Sequence, residues 1–471
     1  MSTLEDTTDD EELLLLLTLF SEQLSAELEE RIDQHIREQR RRNRRLPKRK
    51  DRPTWRSFVQ RVSRDHFRRM FRMALPSFER LCDDICTVVS EEVFRPEAFL
   101  LNGGFAGKPG YAALQHQGGH IPGEIRAATS LRLLAGGSHL DLVPLFDVAK
   151  SQVYDSFDIF LKWVIRTYTF PLTDWLRTEN WLKLHELARA FAEKTGGLMY
   201  GGFGSLDGLA LRIMCPSKKD VPDGGNYYCR KGFYALNVQA ICDKKKRFLW
   251  VNPSNKGSTH DSTAFGCSKL FDLLCEKSND LKREGLYLHG DSAYPLTPFL
   301  QVPYELPELQ NDPAGAKDAF NYFHSSNGIY VECAFGEFVM RWGVFWRSLR
   351  FDLRKCGLII QAAMLLHNFI VDERHGYDEF DRSCFENFSI NRQLESQRRQ
   401  TQSTGEQPRA LVSDNNEPRP AGRRSDEERQ RRDDGERIRN GNVLLLATHS
   451  FRRPMHSNMR MNAEGHIYMD Y

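Results

Sequence analysis

Apolar positions recur at helical intervals through the first third of the chain and change period in the middle third. From Trp55 to about Arg166, Phe67, Met70, Phe71, Leu75, Phe78, Leu81 and Ile85 fall three and four residues apart, which predicts a buried helical face. Ile125, Ala128, Leu131 and Ala135 predict a further helix, stopped by Gly136 and Gly137 after a glycine-rich interruption around Gly103–Gly119. Asp141–Phe146, a turn near Asp147, and Lys150–Trp163 with Val153, Phe157 and Phe160 inward have the proportions of a helix-turn-helix. Asp155 and Asp158 stand on its second helix, where acids would repel phosphates. A helical module packing on the rest of the chain, or dimerising, is the competing reading.

Between about Leu198 and Asp372 the pattern mixes strands and helices. Tyr234–Ala240 and Phe248–Val251 flank the polar turn Asp243–Lys246 as a β-hairpin, and Leu286–Leu288 reads as a short strand. The stretches after Thr263 and after Gly328 read as helical. Beyond Asp372 the periodicity fades, and residues 390–440 are rich in Arg, Gln, Ser, Asp, Glu and Pro, a composition expected to stay disordered. The expected organisation is a charged, largely disordered arm (1–55), a helical, helix-turn-helix-like domain (56–170), a connecting helix (171–199), an α/β domain (200–372) and a mostly disordered polar tail (373–471).

Charge and cysteines narrow the picture slightly. The 66 basic and 64 acidic residues nearly cancel, so distribution matters more than sum. Arg40, Arg41, Arg42, Arg44, Arg45, Lys48, Arg49 and Lys50 crowd into one short stretch, which suits nuclear import or a phosphate-binding arm. Leu13, Leu16, Leu17, Phe20 and Leu24 predict a short amphipathic helix, too short to span a bilayer and preceded by acids rather than a signal peptide's positive start. The ten cysteines lack a C-x-x-C pair, which points away from a zinc site and from a disulfide framework, and toward a reducing compartment.

The candidate chemistry lies in four acids placed where local structure changes. Asp207 stands in Gly204-Ser-Leu-Asp-Gly on a strand; Asp261 follows Gly257-Ser-Thr-His in a polar loop leading into a helix. Asp291 ends the strand Leu286-Tyr-Leu-His-Gly-Asp, and Glu332 sits in Tyr330-Val-Glu-Cys-Ala-Phe-Gly, early in a helix. Apolar neighbours such as Leu206, Val331, Ala334 and Phe335 imply partly buried carboxylates, which need cations or hydrogen bonds. Hard Mg²⁺ or Mn²⁺ ions prefer such oxygen ligands and bind phosphate oxygens directly. His260 is more consistent with orienting its loop than with proton transfer. Arg230, Lys231, Arg341, Arg347 and Arg350 are candidate contacts to a nucleic-acid backbone.

The succession Ser205-Leu-Asp-Gly, Lys231-Gly-Phe-Tyr-Ala-Leu-Asn-Val-Gln, Gly257-Ser-Thr-His-Asp-Ser, Gly290-Asp-Ser-Ala-Tyr-Pro, Phe320-Asn-Tyr-Phe-His-Ser, Val331-Glu-Cys-Ala-Phe-Gly and Leu366-His-Asn-Phe resembles the PIF/Harbinger transposases. The likeness covers roughly residues 200–370, and the Phe67–Trp163 helices resemble that family's amino-terminal region. It implies an α/β, RNase H-like mixed sheet with flanking helices, preceded by an all-α helix-turn-helix-like domain. It also implies a DDE-type nuclease or transposase that hydrolyses DNA phosphodiesters, with joining as a further step, using divalent metal. Asp207, Asp291 and Glu332 match the family's catalytic triad, and Asp261 its additional metal-associated acid. The family's frequent Thr-His after the first Asp-Gly is Leu209-Ala210 here, a basic residue one turn before the glutamate is Gly328, and Cys333 stands where Arg is frequent. The implied partners are DNA, a Myb-like DNA-binding protein and a further copy of the chain, without a membrane. The basic run Arg40–Lys50 points to the nucleus, with the cytoplasm as the alternative location. A domesticated, catalytically silent DNA-associated or scaffold protein is the alternative, and a metal-dependent phosphatase accounts for the acids but not for the basic arm.

Overall fold

A computed structural model describes residues 53–94, 121–310, 312, 315–373, 426–449, 459–461 and 467–469. The chain divides into two units. One, Met1–Arg52 with Ala98–Ile121, falls almost wholly outside the described residues, and with it the expected amphipathic helix, the basic run and the glycine-rich stretch. The other, Pro53–Glu97 with Pro122–Tyr471, holds every element named below.

Its amino-terminal part is helical: α1 (Trp55–Arg61), α2 (Arg64–Phe71), α3 (Leu75–Val89), α4 (Glu91–Phe94), α5 (Gly123–Leu134), α6 (His139–Phe146) and α7 (Lys150–Thr167). The single apolar stripe expected from Phe67 to Ile85 is two helices, because Arg72 turns left-handed (φ 62°) and Pro76 opens the next one. Trp55, Phe58, Phe67, Phe71 and Phe78 stack together at the resulting corner. Helix α5 ends before Gly136, whose φ of +95° suits a residue without Cβ. Helices α6 and α7 meet at Asp147, also left-handed, where the helix-turn-helix pair was expected. Helix α7, however, packs against α3, α5 and α15 (Leu353–Asp372). Of its residues only Lys150, Ser151 and Arg166 are exposed, and Asp158 pairs with Lys355 at 2.5 Å. A helix covered nearly all round is a packing element.

The expected connecting helix at 171–199 is two helices, α8 (Leu172–Arg177) and α9 (Trp181–Ala192), closed by a 3₁₀ turn. A mixed α/β arrangement follows: β1 (Gly202–Arg212), β2 (Tyr228–Cys229), β3 (Phe233–Cys242), β4 (Phe248–Lys256), α10 (Asp261–Gly266), α11 (Lys269–Glu276), α12 (Ser278–Glu284), β5 (Tyr287–His289), β6 (Leu300–Gln301), α13 (Leu306–Leu309), α14 (Ala316–Arg341) and α15. Strand β3 pairs antiparallel with β1, and with β4 and β2; β5 pairs parallel with β1, and β6 with β5. The hairpin turn is where the polar run predicted it, with Lys246 left-handed. This is the mixed sheet with flanking helices expected from the sequence.

Alternation along β1 separates two layers. Leu206 and Ile241, paired across β1 and β3, face the core of α8, α9, α10 and α11, with Phe203, Leu249, Phe265 and Leu270. Ser205, one residue before, faces α14 and donates to the Asn327 carbonyl at 2.7 Å. Helix α15 is long and apolar enough to cross a membrane, but 67% of its most apolar window is buried and it packs on β4 as a core helix.

The expectation of a disordered polar tail needs correction over 426–449, while residues 374–425, where much of that expectation falls, lie outside the described residues. Asp426–Thr448 forms a 23-residue helix, α16, and Met459–Met461 pairs antiparallel with Ile467–Met469. Helix α16 packs on α14 and β6 through Gly435, Arg439, Asn442 and Leu446. Arg439 lies over the Tyr304 ring at 3.8 Å and donates to Glu308 and to the Pro303 carbonyl. Asn442 donates to the Tyr287 hydroxyl at 3.3 Å, and Leu446 is buried with Met199 and Phe320. Most of these buried polar atoms find partners, the Arg439 Nε excepted, which lowers the cost of burial, so composition alone misjudged this segment.

Candidate active site

Each predicted acid occupies a distinct structural position. Asp207 lies in the middle of β1; Asp291 follows β5 by two residues; Asp261 is the first residue of α10. Glu332 was expected early in a helix but stands well inside α14, which starts at Ala316 and runs through Gly328 for 26 residues. A lone glycine weakens a helix by about 1 kcal/mol and does not end one whose neighbours are buried.

Asp207 is half-buried, whereas Asp291 and Glu332 are exposed at their positions. Desolvation pushes the Asp207 carboxyl up to about 7. The Gly208 N–H, donating to Oδ1 at 2.7 Å, opposes this, and the charges of Asp291, Glu332 and Asp261 add to it. Asp291 is raised as well, mainly by desolvation, against an N–H from Ala293; Asp261 and Glu332 raise it and Arg230 lowers it. The four acids therefore stand within electrostatic reach of one another, with Arg230 beside them. They are not packed into one coordination sphere. Among the described residues, no three histidine, cysteine or carboxylate groups are placed to hold a single ion.

Strand alternation explains the spacing. Asp207 shares the Ser205 face of β1, on which α14 packs, and α14 carries Glu332. Gly208 points the other way: a Cβ there would come within 2.2 Å of Asp261 Oδ1 and 2.6 Å of Gln239 Nε2. Asp261 thus sits against the opposite face, in space that the missing side chain of Gly208 leaves open.

There Asp261 is braced. Its Oδ1 accepts from Asn237 Nδ2 at 3.0 Å and from Gln239 Nε2 at 2.8 Å. Both amide orientations are set from outside. Tyr294 donates its hydroxyl to Gln239 Oε1 at 2.6 Å, which turns Nε2 toward Asp261 and toward Asn237 Oδ1. Asn237 Nδ2 also reaches the Thr259 carbonyl, tying down the loop before α10. Tyr294 is buried, and its phenol is raised by desolvation first and then by Asp207, Asp261 and Asp291. His260 stands at the N-cap position of α10, exposed and without a side-chain capping bond.

The brace was not recognised in the sequence. Asn237 and Gln239 lie in the Lys231–Gln239 motif and Tyr294 in Gly290–Pro295, and neither motif by itself assigns them a role. The signal was present: two amides at alternate positions inside an otherwise apolar strand face one direction, and buried amides must have partners. Of the proposed backbone contacts, Arg230 and Lys231 are exposed at the β2–β3 turn; Arg347 and Arg350 are exposed beyond α14.

The DDE superfamily endonuclease profile matches residues 206–368, a span holding all four acids and the strands and helices that carry them. The chain carries a DDE superfamily endonuclease domain. The Harbinger resemblance read from the motifs stands with it. "Putative nuclease HARBI1" of Xenopus laevis is 26% identical over 171 residues, which is 36% of this chain and 46% of that protein. The Mus musculus protein of the same name is 28% identical over 183 residues, 38% and 48%. "Protein ALP1-like" of Arabidopsis thaliana is 27% identical over 329 residues, 63% of this chain and 75% of that protein. The chain thus spans about half the length of the HARBI1 proteins it matches. No solved structure matches it. The mixed sheet with flanking helices is consistent with a DDE nuclease fold.

Proposed function

We propose that this protein is a divalent-metal-dependent DNA endonuclease of the Harbinger type, with an RNase H-like catalytic domain. Asp207, Asp291 and Glu332 hold Mg²⁺ or Mn²⁺ and Asp261 assists them. The observation that carries this is Asp207: a half-buried carboxyl pushed up to about 7 by desolvation and by three further acids. Such a cluster is costly without positive charge, and the all-oxygen donor set suits hard cations. When bound, two such ions activate a water or 3′-hydroxyl and stabilise the leaving oxygen at phosphorus. The Gly208 N–H holds Asp207 Oδ1, the two amides hold Asp261 Oδ1, and Arg230, exposed near Asp291, is placed to meet a phosphate. The helix-turn-helix-like pair serves as a packing module, so that DNA selection falls to the basic arm, to a Myb-like partner or to a second copy of the chain.

The full chain is incubated with duplex DNA carrying candidate terminal sequences, with Mg²⁺, with Mn²⁺, and without metal. Cleavage is expected with metal only. Asp207→Asn, Asp291→Asn and Glu332→Gln should each lower it at least ~100-fold while keeping the fold, since each 1.36 kcal/mol of lost transition-state stabilisation is tenfold in rate. Equal cutting by all three variants would place the active site elsewhere.

A second reading, a domesticated DNA-associated or scaffold protein, is favoured by the absence, among the described residues, of three acids placed for one ion, and by Gly328 and Cys333 at positions the family fills with basic residues. DNA binding without cleavage, with metal, partner and terminal sequences all supplied, would establish it. Nuclear residence rests on the run Arg40–Lys50. Neutralising those eight basic residues should abolish nuclear accumulation of the full chain; unchanged accumulation would remove the import role.

A further inference from the structure

Behind the acids lies a second polar group that the proposed chemistry does not use. His289, His324 and Asn327 are 1%, 3% and 2% exposed, and Ser205 is fully buried. His324 Nε2 lies 2.8 Å from the Gly290 carbonyl oxygen, the two histidine Nδ1 atoms lie 3.2 Å apart, and Asn327 Nδ2 lies 3.3 Å from His289 Nε2.

One atom sets the direction of this whole chain of hydrogen bonds. A carbonyl oxygen only accepts, so His324 Nε2 carries the proton. Burial pushes the His324 imidazole down to about 4 against the pull of that carbonyl, so its Nδ1 carries none and accepts from His289 Nδ1. His289 Nε2 is then an acceptor, filled by the Asn327 amide. The reverse order would set two lone pairs facing each other 2.8 Å apart at Gly290. Asn327 keeps its Nδ2 on His289 although its Oδ1 is buried without a partner; the opposite amide orientation would set Oδ1 against the lone pair of His289 Nε2 and leave Nδ2 unpartnered instead. Gly202 makes room for the arrangement, since a Cβ there would come within 2.0 Å of His289 Nε2.

The residues joined are those that flank the acids. Ser205, on β1, precedes Asp207 by two positions and donates to the Asn327 carbonyl. Gly290 shares its peptide bond with Asp291. His324 and Asn327 lie on the same helix as Glu332, within its preceding turns. We propose that Ser205, His289, His324 and Asn327 form a buried positioning bracket that fixes how far apart the elements carrying Asp207, Asp291 and Glu332 stand. These are positioning residues, acting through the acids they hold, and the inference rests on the reading of those acids as the metal-holding set. Outer partners of metal ligands act in this way: they orient carboxylates without touching the ion.

The test compares His324→Phe, which keeps a ring against Phe320 but removes both nitrogens, with His324→Gln, which keeps an N–H for the Gly290 carbonyl. Mn²⁺ affinity of the full chain is measured by calorimetry, with folding checked by circular dichroism. His324→Phe is expected to weaken Mn²⁺ binding about 10–100-fold and His324→Gln to restore most of it. If His324→Phe fails to fold, Ser205→Ala replaces it, with a smaller loss expected. Wild-type affinity in a folded His324→Phe, or in Ser205→Ala where that replaces it, would overturn the bracket. ¹⁵N NMR of the metal-free protein at pH 7 supplies a readout that simple packing would not set: neutral His289 protonated at Nδ1 and neutral His324 protonated at Nε2. Any other pair of tautomers overturns it. Asp207→Asn separates the two claims. If that variant binds Mn²⁺ as well as wild type does, the metal-site reading falls, and a crystal structure of metal-free His324→Phe or its replacement decides the bracket. A Gly290 peptide displaced relative to Glu332 supports it; an undisplaced one ends it.

Discussion

Asp207 and Asp261 are neighbours on opposite faces of one strand, and they are held in opposite ways. Asp261 rests on two amides whose orientations are locked by Tyr294 and by each other, so its charge is compensated by fixed dipoles. Asp207 has the N–H of the next residue and, for the rest, burial and three like charges. The first arrangement is complete within the protein. The second is poised for a cation, because a positive charge would relieve the repulsion that the chain itself leaves standing. The difference separates the two acids: Asp261 is a rigid reference point, and Asp207 is the carboxylate whose charge the proposed metal would relieve.

Gly208 is the wall between them, and filling it tests the contrast most sharply. Gly208→Ala drives a methyl into Asp261 Oδ1 and Gln239 Nε2, with overpacking expected to cost roughly 1–3 kcal/mol. Thermal unfolding should show the loss, and metal-dependent cleavage should fall along with it because Asp261 is displaced. A variant as stable and active as wild type would mean that the Asp261 shelf is not rigid.

A smaller effect follows from pH. The folded carboxyl of Asp207 lies at about 7, above its ordinary 3.8, so the folded state binds this proton more tightly than the unfolded state does. Its contribution to metal-free stability is therefore fully present below about 3.8 and is lost as pH rises to about 7. Asp291, raised in the same direction, adds to the trend. In melting curves from pH 4 to 8, wild type should lose stability relative to Asp207→Asn as pH rises, and Mg²⁺ should narrow the gap at pH 8. A gap independent of pH would show that Asp207 is not held in the repulsive setting described.

Much of this was legible in advance. Helical spacing located α5 and α7, the polar run Asp243–Lys246 located the hairpin, and the ordered motifs located the four acids. These succeeded because periodicity reports which side of an element is buried, and that is a local property of the chain. The same local information was silent where burial depends on a distant partner. Gly435, Arg439, Asn442 and Leu446 recur at helical intervals in α16, yet their side chains are mostly polar, and their burial required Tyr304, Glu308 and Tyr287 to be waiting.

By itself, then, the sequence determined the mixed α/β class, the positions of the carboxylates and the family to which their domain belongs. The tertiary structure decided the face of β1 on which each acid acts, the amide brace on one and the unrelieved burial of the other. It also decided the histidine chain behind them and the covering of helix α7. The physical reason is that carboxyl chemistry is carried by the residue type, whereas desolvation, hydrogen-bond direction and like-charge repulsion depend on distances between residues remote in the chain.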